Sequence, residues 1–461
     1  MVFIYVSTIV NIFMFGDARS MNHGTNSLIL GDMDRRRFTK TGISAGLGLG
    51  MVPYVASSGV DKGGILDDIT EGEIRDFLSR LLYTRQEVDD YFANRAFPFS
   101  RHSAEFGWLL RDAYFRDGMN GSVSVYRYAK PDGERIMSNY TYRPCRINTY
   151  GNSFTQCHQV SDHETWQEVL AAHLQEPVRN FGIGGWSVYQ AYLRMLKEEK
   201  RAPARYIIFN IYSDDHYRNL DAWRNIRVNK HESFIEPPLP FLKIDLKSRT
   251  FTEHPNPTPR QEDFYKLCDP DETYRLFRDD FVTRIMIAHD KATARNDQLD
   301  YREIHALSQT HGIETNLDKN ATLSSVVNAY HRECALFSTE RIIEKIEHFA
   351  AENNKKVLYV LSYPAGYLAR VHEEQCRWDQ GIIDYIRAKR LPMVDLGKAH
   401  LDEFSQFSPG MKDYLERYFI GHYNPLGNMF CARAILGELV AMMDPRPVPY
   451  HQGTKLGSIG N

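Results

Sequence analysis

The sequence lacks the marks of several protein classes. None of its six cysteines forms a Cys-x-x-Cys pair, which argues against a zinc knuckle. It has neither a P-loop nor the glycine fingerprint of a dinucleotide-binding turn. The formal net charge of the 461-residue chain is only −3, so no overall field favours nucleic acid or an anionic membrane. Beyond the N-terminal region no apolar run reaches about 20 residues, so we expect a protein that is not integral to a membrane.

The cysteines are too sparse for a disulfide scaffold. An exported chain could form disulfides, and the count is even. We expect mostly buried free thiols and one bridge at most among Cys145, Cys157, Cys268, Cys334, Cys376 and Cys431.

What is present is the composition of an ordinary globular protein. Hydrophobic residues make up 43% of the chain, which is enough for a sizeable core. The length corresponds to roughly two to three domains, or to one large domain with insertions.

An export signal is predicted near the N-terminus. The run Asp34-Arg35-Arg36-Arg37-Phe38-Thr39-Lys40 precedes a weakly apolar, glycine-rich stretch, and small residues at 56–59 then offer a cleavage site. This resembles the twin-arginine (Tat) signal, with Asp34 in place of Ser/Thr and Thr39 in place of Leu. The resemblance implies the Tat machinery as a partner and a periplasmic or extracellular location. The alternative is a basic patch before a buried helix.

From residue 145 onward, strand and helix patterns alternate. Strands are predicted at 146–150, 178–181, 206–212, 356–362 and 392–396, and helices at 166–174, 188–199, 339–352, 374–389 and 432–443. This alternation predicts an α/β fold with a mainly parallel sheet that is covered on both faces. Sites in such folds form at the carboxyl ends of the strands.

Three segments lie outside this core. We assign 1–58 to an upstream segment and the signal peptide, and 59–140 to an extension with helices and a β-hairpin that turns at Asp132-Gly133. The core comprises 141–225 and 336–446. The interval 226–335 is too long for a loop and is predicted to be an insertion, either shaping a cleft or decorating the periphery.

Ser153 lies on a predicted strand-to-helix turn. Gly151 allows a tight bend, and the following helix N-terminus places backbone N–H groups beside the hydroxyl. Such a position suits a nucleophile whose attack creates an oxyanion. The alternative is a turn serine that merely caps a helix.

Four segments in order carry a family resemblance. They are Gly151-Asn152-Ser153-Phe154, Asn180 to Gly185, Tyr212-Ser213-Asp214-Asp215-His216, and Gly421-His422 followed by Asn424-Pro425-Leu426-Gly427-Asn428. Together they resemble the SGNH/GDSL hydrolases over about 190 residues. The resemblance implies a flavodoxin-like three-layer α/β/α sandwich with Ser153 as nucleophile and His422 as base. It also implies that the amides of Ser153 and Gly185 hold the oxyanion, with no metal or cofactor.

Two departures from the family pattern leave alternatives open. An aspartate, Asp214, stands where the family has the asparagine of its oxyanion hole, so Ser213 or a neighbour such as Asn210 is expected to donate instead; the alternative is that this corner is rebuilt. Phe419 stands three residues before His422, where the family has its acid. Asp395, Asp214 and Asp215 are candidate replacements, and a Ser-His dyad oriented by a backbone carbonyl is a further alternative. Otherwise Asp395 caps a helix and the aspartate pair holds the third loop.

The predicted cleft contains two aromatic residues. Trp186 and Tyr189 follow the Gly184-Gly185 turn and are expected to line it together with Asn152 and Asp214, whereas Trp166 and Tyr192 lie in helical patterns typical of a core.

These expectations define an exported serine ester hydrolase that forms an acyl-enzyme. Its substrate is expected to be a small-molecule or carbohydrate ester, with carbohydrate O-deacetylation favoured. The alternatives are O-acyl transfer by the same Ser-His pair and a non-catalytic binding module on the same fold.

Overall fold

The computed structural model describes residues 64–95, 99–229, 235–294, 307, 310–311, 322–407 and 410–451. The predicted Tat segment lies outside these residues.

The N-terminal extension consists of two short helices and two small antiparallel hairpins. Helices α1 (Glu71–Ser79) and α2 (Arg85–Phe92) each begin with a threonine whose hydroxyl accepts from the third amide of the helix. The hairpins are formed by β1 (Ser100–Ser103) with β2 (Gly107–Leu110) and by β3 (Ala113–Phe115) with β4 (Ser124–Tyr126).

The predicted hairpin around Asp132-Gly133 is only partly correct. A bridge between Tyr128 and Arg135 closes this turn, but β4 pairs upstream with β3. After the turn, Arg135 also bridges to Asn180 at the edge of the central sheet. The chain therefore leaves the hairpin and joins the core.

Five parallel strands form the central sheet. They are β5 (Ile147–Tyr150), β6 (Val178–Asn180), β7 (Tyr206–Tyr212), β10 (Lys356–Ser362) and β11 (Met393–Asp395). Their spatial order is β6-β5-β7-β10-β11, which is 2-1-3-4-5 in chain order within the sheet. This is the flavodoxin-like order, and the predicted fold class is confirmed. The order reverses between β5 and β7, so the crevice at their carboxyl ends is where such folds place a site.

Helices cover both faces of the sheet. Helices α4 (Trp166–Leu174) and α16 (Pro425–Met442) pack together on one face, while α5 (Val188–Arg201) and α11 (Leu323–Glu352) cover the other. Because both faces are covered, every side chain of β7 is buried. The remaining core helices are α3 (Ser153–Gln156), α6 (Asp215–Arg218), α7 (Asn225–Val228), α12 (Ala365–Glu374), α13 (Gln380–Ala388), α14 (Leu396–Phe404) and α15 (Met411–Tyr418).

The region between the two halves of the core has its own elements. It contains the hairpin β8 (Phe241–Asp245) and β9 (Thr250–His254), followed by α8 (Gln261–Phe264), α9 (Pro270–Phe277) and α10 (Phe281–Ala294). Helix α1 of the extension packs against α9 and α10, so these regions contact each other. Helix α11 begins 16 residues before the predicted helix start at Thr339.

All six cysteines lie within the described residues and are free thiols, so the single disulfide that the sequence allowed does not form.

Candidate active site

Ser153 is held on a tight turn directly after β5. Gly151 has a φ of 148°, and a Cβ there would lie 2.6 Å from the Asn210 carbonyl oxygen, so the turn requires glycine. The Asn152 side chain accepts from the Phe154 amide at 2.8 Å. Helix α3, which starts at Ser153, is only four residues long, and the longer helix α4 begins at Trp166. The turn geometry, rather than a long helix, therefore positions the hydroxyl.

His422 lies against this serine. The Ser153 Oγ and His422 Nε2 atoms are 2.8 Å apart, and both side chains are buried. His422 sits in the loop between α15 and α16, next to Gly421 with a φ of 121°. The sheet and α16 thus bring together two residues that are 269 positions apart in the chain.

Gln159 contacts the other side of the imidazole, where an acid was expected. Its Oε1 atom lies 3.2 Å from His422 Nδ1 and accepts from the His422 backbone amide at 2.6 Å. Its Nε2 atom donates to the carbonyl oxygens of Asp117 and Ile420, both at 3.1 Å. These two acceptors fix the orientation of the amide group, so Oε1 must face His422.

This orientation decides the tautomer of His422. Because Gln159 Oε1 can only accept, His422 Nδ1 carries the hydrogen, and the Nε2 lone pair faces the Ser153 hydroxyl. Burial lowers the pKa of His422 well below its usual value, and His158 and the positive charge of Arg218 act in the same direction. The imidazole is therefore neutral at pH 7 and can accept a proton from Ser153.

The Gly184-Gly185 turn lies beside the serine. A Cβ on Gly184 would be 3.6 Å from Ser153 Cβ, and the Gly184 carbonyl is held by Trp108 Nε1 at 3.1 Å. Gly185 has a φ of 80°, and a Cβ there would lie 2.8 Å from the Trp108 ring. Within the described residues the amides of Ser153 and Gly185 have no hydrogen-bond acceptor. The turn can therefore offer amides to an oxyanion next to Ser153.

The segment 212–216, which was expected to lie at the site, holds a loop and does not reach the imidazole of His422. Although burial alone would raise it, the pKa of Asp214 is lowered by Arg227 and Arg218, whose guanidinium groups bind it at 2.9 and 2.8 Å. Asp215 accepts from Asn152 Nδ2 at 2.8 Å, from the Tyr212 amide and from Arg218, and burial raises its pKa to about 7. The two aspartates therefore fix this corner of the site.

Ser213 and Asn210, the two residues expected to donate to an oxyanion, have different surroundings. The Ser213 amide already donates to the Ser362 carbonyl at 3.1 Å, and the residue is buried. Asn210 lies beside Gly151, and its Oδ1 atom is buried with no hydrogen-bond partner in the described part of the chain.

Asp395 is not the partner of His422, which corrects the expectation for the third catalytic residue. It ends β11, accepts from the Lys398 amide at 3.1 Å as the cap of α14, and binds Arg377 at 2.7 Å. The helix-cap alternative was the right one. Gln159 is not ionisable, so its residue type does not mark it as a partner of His422, and its one sequence signal is its position six residues after Ser153.

Trp186 and Tyr189 do not line an accessible cleft, which is a second correction. Trp186 is 0% exposed and packs on Phe106 with ring centroids 5.1 Å apart. Tyr189 is buried, and its hydroxyl donates to Glu253 at 2.9 Å. Helix α5 begins between them, and its first turn packs against the extension and the insertion. Asn152 is also buried, whereas Asp214 is partly exposed.

The described ranges show neither a metal-binding cluster nor a helix able to span a membrane. Within these ranges no group of three or more His, Cys, Asp or Glu side chains is arranged to hold a metal ion. No helix in the described part of the chain is long and apolar enough to cross a membrane.

Comparisons with known proteins assign no family to this chain. No family model matches the chain, and no curated protein matches it. Among solved structures, it is similar to the "Structure of a putative lipolytic protein of G-D-S-L family from Desulfitobacterium hafniense DCB-2". The identity is 11%, and the TM-score is 0.27 over 62% of this chain and 98% of that chain. A TM-score this low carries no argument about activity.

Proposed function

We propose that this chain is a serine ester hydrolase of the SGNH type that works through an acyl-enzyme. The observation that carries the proposal is the 2.8 Å contact between Ser153 Oγ and the neutral His422 Nε2. A serine hydroxyl is a weak nucleophile until a base removes its proton, and this contact supplies the base.

In the proposed reaction, Ser153 Oγ attacks the ester carbonyl while its proton moves to His422 Nε2. The amides of Ser153 and Gly185 donate to the oxyanion that forms. His422 then returns the proton to the departing alkoxide, leaving an acyl group on Ser153. Water then attacks this acyl group while its proton moves to His422 Nε2. The bond between the acyl carbon and Ser153 Oγ breaks, the carboxylic acid leaves, and His422 returns the proton to Ser153 Oγ, which restores the serine.

The burial of the serine supports a small acyl group. Ser153 is only 6% exposed, so a long acyl chain would have to displace packed side chains to reach it. An acetyl ester fits this constraint best, so the favoured reaction is O-deacetylation and the favoured class of substrate is an acetylated carbohydrate. Export by the Tat pathway, which rests on the run 34–40, is part of the same proposal.

The test is reaction of the full-length protein with a fluorophosphonate probe, followed by peptide mapping. We expect labelling at Ser153, no labelling at this position in Ser153→Ala, and a labelling rate at least about a thousandfold lower in His422→Ala. Hydrolysis of p-nitrophenyl acetate should exceed that of the octanoate ester. A folded wild-type protein that is not labelled would contradict the proposal and favour the non-catalytic binding module.

A further inference from the structure

A carboxylate from the N-terminal extension lies behind the Ser153-His422 pair. Asp117 is in the connection between β3 and β4, and its Oδ2 atom accepts from the Tyr126 hydroxyl at 3.1 Å. Its Oδ1 atom is buried and has no hydrogen-bond partner among the described residues. Apart from His158, no cationic or ionisable basic side chain of the described residues pairs with it. Asp117 is therefore a buried carboxylate without a permanent counter-charge.

His158 stands between this carboxylate and the proposed base. Its Nε2 atom is 3.4 Å from Asp117 Oδ2, and its ring meets the His422 ring edge-on with centroids 5.1 Å apart. Burial lowers the pKa of His158 and the Arg135 charge acts in the same direction, while Asp117 opposes both. A neutral His158 thus connects the carboxylate to His422.

The backbone of Asp117 acts on the same site. Its carbonyl oxygen is one of the two acceptors that fix the Gln159 amide group, and Gln159 in turn orients His422. A single residue of the extension therefore touches two of the groups that contact the imidazole, Gln159 and His158. The extension is anchored there by Arg135, which is fully buried and binds Asp162 together with the carbonyls of Gln156 and Cys157.

This arrangement meets a charge requirement that the proposed reaction creates. When His422 takes the Ser153 proton, a cation forms in a buried site, where an uncompensated charge is costly. Gln159 is neutral, and both Arg218 and the protonated form of His158 oppose the cation. Asp214 and Asp215 are already bound by arginines, so neither has free negative charge to offer.

We propose that Asp117 is a positioning residue of the active site, one that orients Gln159 through its carbonyl and stabilises the His422 imidazolium through its carboxylate, across His158. The only proton that moves is the one between Ser153 Oγ and His422 Nε2. The inference rests on the proposed function. It makes the N-terminal extension part of the active site instead of a peripheral addition.

The test compares Asp117→Asn with wild type in the full-length protein. Asparagine keeps the backbone carbonyl and an acceptor for Tyr126, so the change removes mainly the charge. We expect the fluorophosphonate labelling rate at Ser153 to fall about tenfold, and the pKa of His422 in the phosphonylated protein to fall by about one pH unit. That pKa is measured by NMR of the imidazole nitrogens. Tyr126, Arg135, His158 and Arg218, which face this group of residues, are the same in both proteins.

The matched control is Asp112→Asn, in the same part of the chain. The Asp112 carboxylate is about half exposed and binds the Tyr128 amide and Lys130, away from His422. It should change neither readout. His158→Asn provides a second variant that leaves Asp117 in place; it should lower the rate by a similar factor, and the double variant should be no slower than either single one.

The outcomes separate the two proposals. If wild type is labelled at Ser153 but folded Asp117→Asn matches it in both rate and pKa, the role of Asp117 is refuted and the proposed function stands. If Asp117→Asn does not fold, an unchanged rate and pKa in His158→Asn refutes that role instead. If folded wild type is not labelled, both proposals fail.

Discussion

Gln159→Met is the most direct test of the site geometry. Methionine has nearly the same length and volume as glutamine but cannot accept from His422 or donate to the carbonyls of Asp117 and Ile420. Two buried donors, His422 Nδ1–H and the His422 amide, lose their acceptor. Each unsatisfied buried donor costs about 1–3 kcal/mol, so the free energy of unfolding should fall by about 2–6 kcal/mol.

The effect on reactivity should exceed the effect on stability. Without an acceptor at Nδ1, the imidazole favours the tautomer with hydrogen on Nε2, which has no lone pair facing Ser153. A wrong tautomer in a Ser-His site costs up to about 10⁴ in rate, and we expect the fluorophosphonate labelling rate to fall by about 10² to 10⁴. Urea unfolding measures the stability, and labelling below the start of unfolding measures the reactivity.

The matched control is Gln175→Met. Gln175 also has a positive φ, 55° against 73° for Gln159, so both substitutions place methionine in the same backbone region. The Gln175 side chain makes no hydrogen bond with the described residues. The control should retain both the stability and the labelling rate. A Gln159→Met protein labelled within about threefold of wild type would refute the argument that Gln159 sets the tautomer.

Two further predictions concern stability. Asp395→Ala removes the cap of α14 and the partner of Arg377. It should lower the free energy of unfolding, measured in urea, by about 1–3 kcal/mol and leave the labelling rate unchanged. A labelling rate that falls with Asp395→Ala would restore this residue as a site acid. Burial lowers the pKa of His400 to about 3. The unfolded state therefore binds more protons below pH 6.5, and stability is lost as the pH falls. His400→Gln should lose less stability than wild type between pH 6.5 and about pH 4 in urea titrations, and equal losses would show that His400 is not buried in the neutral form.

Much of the core was predictable because its strands are short apolar runs bounded by polar residues. The predicted strands 206–212 and 356–362 have the same bounds as β7 and β10, since both are central strands buried on two faces. The predicted helix 374–389 is wrong over its first part: α12 ends at Glu374 and α13 begins at Gln380. Gln375 adopts a φ of 52°, and Arg377 turns inward to bind Asp379 and Asp395. The ion pair with Asp395, which lies 18 residues further along the chain, overrides the helical periodicity and leaves no local sequence pattern.

The site was predictable where local sequence determines the backbone and not where distant segments meet. Ser153, Gly185 and His422 each follow a glycine-containing turn, and such turns are visible in a sequence. The contact of His422 with Gln159 depends on how the loop before α16 meets the loop after α3. The approach of Asp117 depends on how the extension docks on the core. Neither arrangement has a local pattern, and a glutamine gives no sign of a role in proton transfer.

Gln159 differs from the acid of a triad in what its second polar atom can bind. In the acid position of a triad, one carboxylate oxygen faces the imidazole and the other needs a donor. Here the second atom of the Gln159 amide faces two carbonyl oxygens at 3.1 Å, which would repel a carboxylate and accept from an NH₂ group. The surrounding backbone therefore selects an amide. An amide can set the tautomer of His422 but cannot neutralise its cation. In the proposed mechanism the two tasks of the usual acid are therefore divided. Gln159 fixes the orientation of His422, and Asp117, which lies outside the core, supplies the negative charge.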